Sequence, residues 1–293
     1  MTREQESYCA LGLIGYPLGH SLSPILHQAA LESAGLKGEY RLYPIPPSPD
    51  GEQRIKDLCD QVRAGTIKGL NVTIPHKQTV RRFVDRLSPV AEAVGAVNTI
   101  FVNDQGKLVG DNTDVSGFMR DIARLTSLSS GKAVVVGAGG SARAVVYGLC
   151  QSGWEVLVLA RRAVQAVALV EVIKTIQGLR GLVTYGLLER QTMMDCARDC
   201  QLLVNTTPVG MHPNEDDCPW PEDVPLPAQA VVYDLIYNPL ETRLLQRARK
   251  QGLLYANGSG MLVAQAALAF ARWTGLEPPF EVMERAFPEQ ISE

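Results

Sequence analysis

The chain has no apolar run long enough to span a bilayer and no dense tract of lysine and arginine, and aromatic residues make up only 6% of it. The first absence excludes a membrane span. The opening MTREQESYCALGLIGYP starts charged, and its apolar stretch is too short and too poorly flanked for a signal peptide. The chain therefore reads as soluble and cytoplasmic. The second absence, with a net charge of −3, argues against nucleic acid or an anionic membrane as the main partner. A small basic pocket holding a small anionic molecule stays open. Histidine is scarce, at four residues, and the six cysteines at 9, 59, 150, 196, 200 and 218 form no CxxC pair. Cys196 and Cys200 could share a helix face, yet no histidine lies close in sequence to complete a zinc set. The cysteines read as reduced packing residues, and no metal is expected.

Hydrophobic residues are plentiful: 46% against 20% charged in 293 residues, enough for a sizeable core and, on length, two domains. ALGLIGYP reads as a strand. SPILHQAALESAGL reads as a helix, with serine as its cap, a proline in its first turn and Gly35 as its stop. EYRLYPI is a second strand, PPSPDGE a loop, QRIKDLCDQVRAG an amphipathic helix and GLNVTIP a third strand. This alternation favours a largely parallel sheet. AVGAVNTIFVNDQGKLVGDNTD reads as a strand, a tight turn and a return strand, and VSGFMRDIARL as a helix. The polar TSLSSG that follows lies near a domain boundary. KAVVVGAGGSARAVVYGLCQSG and WEVLVLARR then read as strand, turn, helix and strand. CQLLVNTTP and AVVYDLIYNP read as further strands, separated by a proline-rich, acidic loop that borders the ligand cleft. GMLVAQAALAFARWTG is an almost wholly apolar helix that must be buried.

VVVGAGGSA places Gly137, Gly139 and Ala142 in the G-x-G-x-x-[GA] spacing, between a β-branched strand and a helical run. Gly137 permits the tight turn, Gly139 lets a pyrophosphate approach the backbone, and Ala142 lets the helix pack closely. The helix start offers unpaired N–H groups and a positive dipole end. With Ala138, Gly140 and Ser141, these residues form a dinucleotide-binding turn. About 20 residues on, where a carboxylate would select NAD, the chain reads VLVLARRA, so Arg161 and Arg162 occupy that place. An arginine fork matches phosphate, so the favoured guest is NADP.

Other polar clusters fall at strand ends. GHSLSP offers Ser21 and Ser23, whose hydroxyls and adjacent free N–H groups can hold a carboxylate. NVTIPHK offers Thr73 and Lys77, GAVNT offers Asn98, and GDNTD offers Asp111, Asn112 and Asp114. In an open parallel sheet several strand ends face one crevice, so these candidates can converge.

In order along the chain, GYPLGHSLSPILH, GLNVTIPHK, GAVNT, GDNTDVSGF, VVVGAGGSARA, VNTTPVGM, YDLIYNP and NGSGMLVAQAALAFARWTG resemble the shikimate dehydrogenase family over essentially the whole length. The resemblance implies reduction of 3-dehydroshikimate to shikimate with NADPH in aromatic amino-acid biosynthesis. It implies an α/β fold in two domains. The first is a substrate domain over residues 1–114 with a mostly parallel sheet, completed by C-terminal helices from about 261 to 293. The second is a Rossmann domain over 115–260. It gives Ser21 and Ser23 to the substrate carboxylate with Tyr237 nearby, and sets Thr73, Asn98 and Gln265 with Lys77 and Asp114 around the ring hydroxyls. A glutamine inside an apolar helix also needs partners, which a ligand hydroxyl supplies. Asn205, Thr206 and Met211 would border the cofactor, and Gly258 and Met261 its nicotinamide end.

Two positions depart from the family pattern. Ala160-Arg161-Arg162 replaces the more usual Asn-Arg-Thr, and His76 stands where an aromatic or aliphatic residue is more usual; His76 is assigned no catalytic role. Ketone reduction builds negative charge on the carbonyl oxygen, which an ammonium stabilises and protonates. Lys77 is therefore the expected proton donor and Asp114 the carboxylate that orients it, the two meeting from distant parts of the first domain. The alternatives are a quinate/shikimate dehydrogenase that accepts NAD, and an inactive NADP-sensing protein. The expected state is monomer or homodimer.

Overall fold

The computed structural model describes residues 8–288. It divides into two compact units, one running to Thr113 and taking in Val263–Pro288, the other Asp114–Leu262. In chain order the first unit contains β1 (Cys9–Gly15), α1 (Ser23–Ser33), β2 (Gly38–Pro44), α2 (Pro49–Arg63), β3 (Gly69–Val72), β4 (Arg86–Leu87), α3 (Pro89–Val94), β5 (Thr99–Val102) and β6 (Leu108–Asp111). The second contains α4 (Asp114–Leu125), β7 (Lys132–Val136), α5 (Gly140–Gln151), β8 (Glu155–Ala160), α6 (Ala163–Lys174), β9 (Val183–Leu187), α7 (Arg190–Cys196), β10 (Leu202–Asn205), β11 (Val231–Asp234), α8 (Arg243–Lys250) and β12 (Tyr255–Ala256). α9 (Ser259–Thr274) crosses the division, and α10 (Phe280–Ala286) follows in the first unit. Among the described residues no helix is long and apolar enough to cross a membrane.

The first sheet has the order β2-β1-β3-β5-β6-β4. β1 pairs in parallel with β2 and β3, and β4 with β6. β5 pairs antiparallel with both β3 and β6, so the sheet is mixed at its centre. The cause is the tight turn between β5 and β6: Asn103 Oδ1 accepts the N–H groups of Gln105 and Lys107, and Gly106 turns back at φ 70°. So short a connection cannot join parallel strands.

Helix starts differ from the sequence reading in instructive ways. α1 begins at Ser23 itself; Leu22 occupies the cap position without a side-chain bond, and Ser21 Oγ accepts from Ser23 N–H at 3.3 Å. α2 starts inside the expected loop because Ser48 Oγ accepts from Gly51 N–H at 3.0 Å and Pro49 loses no bond in the first turn. The same serine–proline device starts α3, which the sequence reading passed over: Ser88 Oγ accepts from Ala91 N–H at 3.1 Å.

The C-terminal segment completes this unit's core. Trp273 donates Nε1–H to the Ile100 carbonyl at 3.0 Å and lies where a side chain on Gly69 would stand. Arg272 Nε reaches Asp111 Oδ2 at 3.0 Å.

The second sheet has the order β12-β11-β10-β7-β8-β9, and every pair is parallel. β7 lies between β8 and β10, so the order reverses there and a crevice opens beyond the carboxyl ends of β7 and β10. The proline-rich loop before β11 is anchored by α8. Arg247 Nη2 donates to the Val224 carbonyl at 2.8 Å, and Arg243 Nη2 pairs with Asp216 Oδ1 at 2.6 Å.

Candidate functional site

In the first unit Ser21, Ser23, Thr73 and Lys77 follow the carboxyl ends of β1 and β3, Asn98 immediately precedes β5, and Gln265 lies within α9. β3 ends at Val72, three residues before Pro75, which has no N–H to offer; the last bonds between the two strand ends are Thr73 N–H to the Ile14 carbonyl at 2.8 Å and Tyr16 N–H to the Ile74 carbonyl at 2.9 Å. Gly15 is bare because any side chain there would strike Thr73 and Leu18. The ends of β1 and β3 are thus stitched together, bringing the segment that carries Ser21 and Ser23 beside Thr73.

The segment after β3 is held at three points. His76 N–H donates to the Thr73 carbonyl at 2.9 Å, Val80 N–H to the His76 carbonyl at 3.0 Å, and Val97 N–H to the Lys77 carbonyl at 2.8 Å. His76 is buried, with Nε2 2.6 Å from the Ile45 carbonyl oxygen. A carbonyl can only accept, so Nε2 carries the proton. His76 fastens the backbone beside the half-buried Lys77.

Asn98 is a buried junction. Its Oδ1 accepts from Thr113 N–H at 2.8 Å and from Thr99 Oγ1 at 3.0 Å; its Nδ2 donates to Thr113 Oγ1 at 3.0 Å and to Gln265 Oε1 at 3.3 Å. Thr113 Oγ1 donates in turn to the Gln265 carbonyl at 3.0 Å. The glutamine inside the apolar α9 thus has Asn98 beside its side chain. Asp111 and Asn112 are used structurally: Asp111 Oδ1 accepts from Ser88 Oγ at 2.5 Å and from Asn112 N–H at 2.8 Å, and Asn112 Nδ2 donates to the Ala96 carbonyl at 2.9 Å. Asp114, itself buried, is the first residue of α4, so the division places it at the head of the second unit and Lys77 in the first.

In the second unit, Gly137 has φ 114°, and a side chain there would collide with Thr206. A Cβ built on Gly139 meets nothing within 4 Å. Gly139 is the N-cap of α5 and offers its first-turn N–H groups no side-chain bond. Ala142 is fully buried under the helix, and Ala138, Gly140 and Ser141 are partly exposed along the same turn. Arg161 and Arg162 are exposed just beyond β8. The turn and the two arginines fit a dinucleotide carrying an extra phosphate.

Beyond β10, Thr206 Oγ1 donates to the Val136 carbonyl at 2.7 Å, closing this segment against Gly137, and Met211 is exposed. Asn205 is fully buried and its amide is occupied on both sides: Nδ2 donates to Asp234 Oδ1 at 2.9 Å, while Oδ1 accepts from Thr207 N–H and Oγ1 at 3.0 and 2.7 Å. Gly258 N–H donates to the Ile236 carbonyl at 3.0 Å, and a side chain on Gly258 would collide with the Leu235 carbonyl oxygen. Met261 is buried within the first turn of α9. Tyr237 is half-buried, and its burial pushes the phenol above its ordinary value.

Sequence reasoning passed over Asp234, Thr242, Thr113 and the anchoring bond of His76. Asp234 stands in the quoted YDLIYNP, but a carboxylate at a strand end carries no mark of burial in its spelling. All six cysteines are free thiols, and among the described residues no three potential ligands gather as a metal site.

A family model described as the shikimate dehydrogenase substrate binding domain matches residues 13–100, and one described as the shikimate 5'-dehydrogenase C-terminal domain matches 258–286. The NADP(+) shikimate dehydrogenase of Methanopyrus kandleri is 42% identical, over 96% of this chain and 95% of its own. The shikimate 5-dehydrogenase of Thermus thermophilus, solved with NADP(H) and shikimate, superposes with a TM-score of 0.79 at 37% identity, covering 95% of this chain and 98% of that one. Quinate dehydrogenase from Corynebacterium glutamicum, solved with NAD, gives a TM-score of 0.85 at 34% identity over 96% and 99% of the two chains. With a relative this similar along nearly its whole length, the chain belongs to the shikimate dehydrogenase family.

Proposed function

We propose that this chain is an NADP-dependent shikimate dehydrogenase that interconverts 3-dehydroshikimate and shikimate. The observation that carries the reading is the pairing of an uncapped α5 N-terminus, open above Gly139, with Arg161 and Arg162 exposed at the end of the adjacent β8. The glycine turn would hold the pyrophosphate and the arginines the 2′-phosphate, with Asn205, Thr206 and Met211 bordering the cofactor and Gly258 and Met261 its nicotinamide end. NADPH, when bound there, supplies the hydride.

The chain's own residues do the rest. Ser21 and Ser23 hold the substrate carboxylate with Tyr237, and Thr73, Asn98 and Gln265 orient the ring hydroxyls. The Lys77 ammonium stabilises the developing oxyanion and gives it a proton, and Asp114 is the carboxylate that fixes the ammonium's direction. The enzyme works in the cytoplasm on a small molecule, as monomer or homodimer, with no nucleic-acid partner. Lys77 and Asp114 are both present, which weighs against an inactive sensor of the same fold.

The solved quinate dehydrogenase supports a second reading, in which quinate is taken and NAD accepted. One set of assays separates them: NADP reduction with shikimate and with quinate, each repeated with NAD. The expected result is turnover of shikimate with NADP and a kcat/KM for NAD lower by about tenfold or more, since the charge-assisted bonds to a phosphate contribute ~1.5–3 kcal/mol. Equal efficiencies with the two dinucleotides would remove the arginines' proposed role. A preference for quinate would replace the substrate.

A further inference from the structure

We propose that Asp234 is a positioning residue whose carboxylate locks three site-bearing segments of the second unit into one arrangement: the turn after β10, the turn after β11 and the start of α9. The proposal deepens the dinucleotide reading above and rests on it.

Asp234 is the last residue of β11 and is fully buried. Asn205 Nδ2 donates to its Oδ1 at 2.9 Å, Ile236 N–H to the same oxygen at 3.1 Å, and Thr242 Oγ1 to Oδ2 at 2.7 Å. Each donor leads to a candidate site residue. Asn205 passes the constraint through Oδ1 to Thr207, next to Thr206, in the segment that runs on to Met211. Ile236 precedes Tyr237, and its carbonyl accepts from Gly258 N–H. Thr242 caps α8, with Oγ1 accepting from Leu245 N–H at 3.4 Å, and so closes the far end of the 235–241 turn. His212 N–H, donating to the Asn238 carbonyl at 3.2 Å, ties the same two turns again at the surface. The donors thus come from the end of β10 and from both ends of the turn after β11, and the start of α9 is reached through the Ile236 carbonyl.

The ionised group is the form this cage fits, because three hydrogens already point at its two oxygens. Protonation, or replacement by an amide, brings further hydrogen into the cage, so one bond must open or a hydroxyl must turn. Burial raises the Asp234 carboxyl to about 6, against the three hydrogen bonds that pull it down. The titratable groups that feel its charge are the Cys218 thiol from the proline-rich loop and, on the opposite face of its own strand, the Tyr233 phenol, which donates to Asp121 Oδ2. Burial raises both, so they stay neutral in acid and neutral solution. The charged neighbour on this side is the Arg247 guanidinium, which touches Cys218.

The test is the dissociation constant of NADPH for wild type and Asp234→Asn, measured by fluorescence between about pH 5 and pH 8. The ligand's own phosphate titrates identically against both proteins, so the ratio of the two constants is the readout. At pH 8 the variant is expected to bind about tenfold more weakly, a change equivalent to one charge-assisted hydrogen bond. As the pH falls through about 6 the wild type acquires its own proton and the ratio should approach one. Thr242→Ala removes one donor and should move the wild-type midpoint upward, and Thr242→Ser should restore it, so this pair carries the test if the amide variant fails to fold. A ratio that stays constant across the range, or an unmoved midpoint in Thr242→Ala, overturns the positioning role and leaves the dinucleotide reading intact. A wild type that does not bind NADPH at all overturns that reading and the proposal together.

Discussion

Replacing Lys77 with alanine is expected to lower kcat by on the order of 10²–10⁴-fold while KM for shikimate changes much less. The size follows from the role: proton donation matters in the transition state, when charge has moved onto the carbonyl oxygen, and contributes little to ground-state binding. The structure supports reading such a result as chemistry. The Lys77 backbone is held by Val97 N–H and by the turn that His76 fastens to Ile45, and none of these bonds uses the lysine side chain. The melting temperature of the variant, measured beside that of the wild type, separates lost chemistry from lost fold. Near wild-type turnover in Lys77→Ala would remove this residue from the mechanism. Asp114→Asn should damage both kcat and KM, because the carboxylate is proposed to touch the substrate as well as orient the ammonium.

The second large effect concerns acid stability. His27 on α1 is fully buried, stacked on Tyr40 with ring centroids 4.3 Å apart and the planes 4° from parallel, with Trp273 at 5.2 Å. Burial lowers its ring to about 3, with Asn71 opposing the shift. In the unfolded chain an imidazole titrates at about 6.5. Between those values the unfolded state binds the extra proton. The folded state therefore keeps its full stability above about pH 6.5 and loses it steadily as the pH falls toward 3, by roughly 2 kcal/mol at pH 5 and up to ~4–5 kcal/mol at the acid end.

Asp234 acts in the opposite sense. Its folded value, about 6, lies above the unfolded value for an aspartate, about 3.9, so acidification relieves rather than adds cost between them. The two must be separated by substitution. Urea midpoints of His27→Phe and wild type, compared at pH 7 and pH 5, should shift relative to each other by about 2 kcal/mol in the variant's favour at the lower pH. Parallel pH dependences would show that His27 does not carry the acid sensitivity.

The glycine turn and the end of β3 were legible because their geometry requires fixed spellings. A turn that lets phosphate reach the backbone needs glycines at 137 and 139, and a strand that must stop beside a crevice ends in Thr73-Ile74-Pro75, where proline offers no N–H to the ladder. What escaped was determined by tertiary contacts. The short α3 and the early start of α2 depend on single serine caps. The two-residue β4 has too little length to show a period. The edge strand β9 exposes Tyr185 and Leu187, so its alternation carried no clean inside face. The same limit applies to individual residues. Asp111 and Asn112 stand in a motif with Asp114 and resemble it in type, yet their side chains hold Ser88, Arg272 and the Ala96 carbonyl. The amide of Asn205 is enclosed and bonded to Asp234 and Thr207, partners that its place in VNTTPVGM does not spell out.

The first unit is assembled from both ends of the described chain, with Trp273 seated in the notch left by Gly69 and donating to Ile100. During synthesis, therefore, its early strands emerge without their covering helix and wait while the whole intervening unit is made. Removing the segment after Leu262 would strip that half of its interior wall, whereas the glycine turn and its parallel sheet would already have every strand they need. Translation order thus favours the nucleotide half maturing before the half that is proposed to hold the acid.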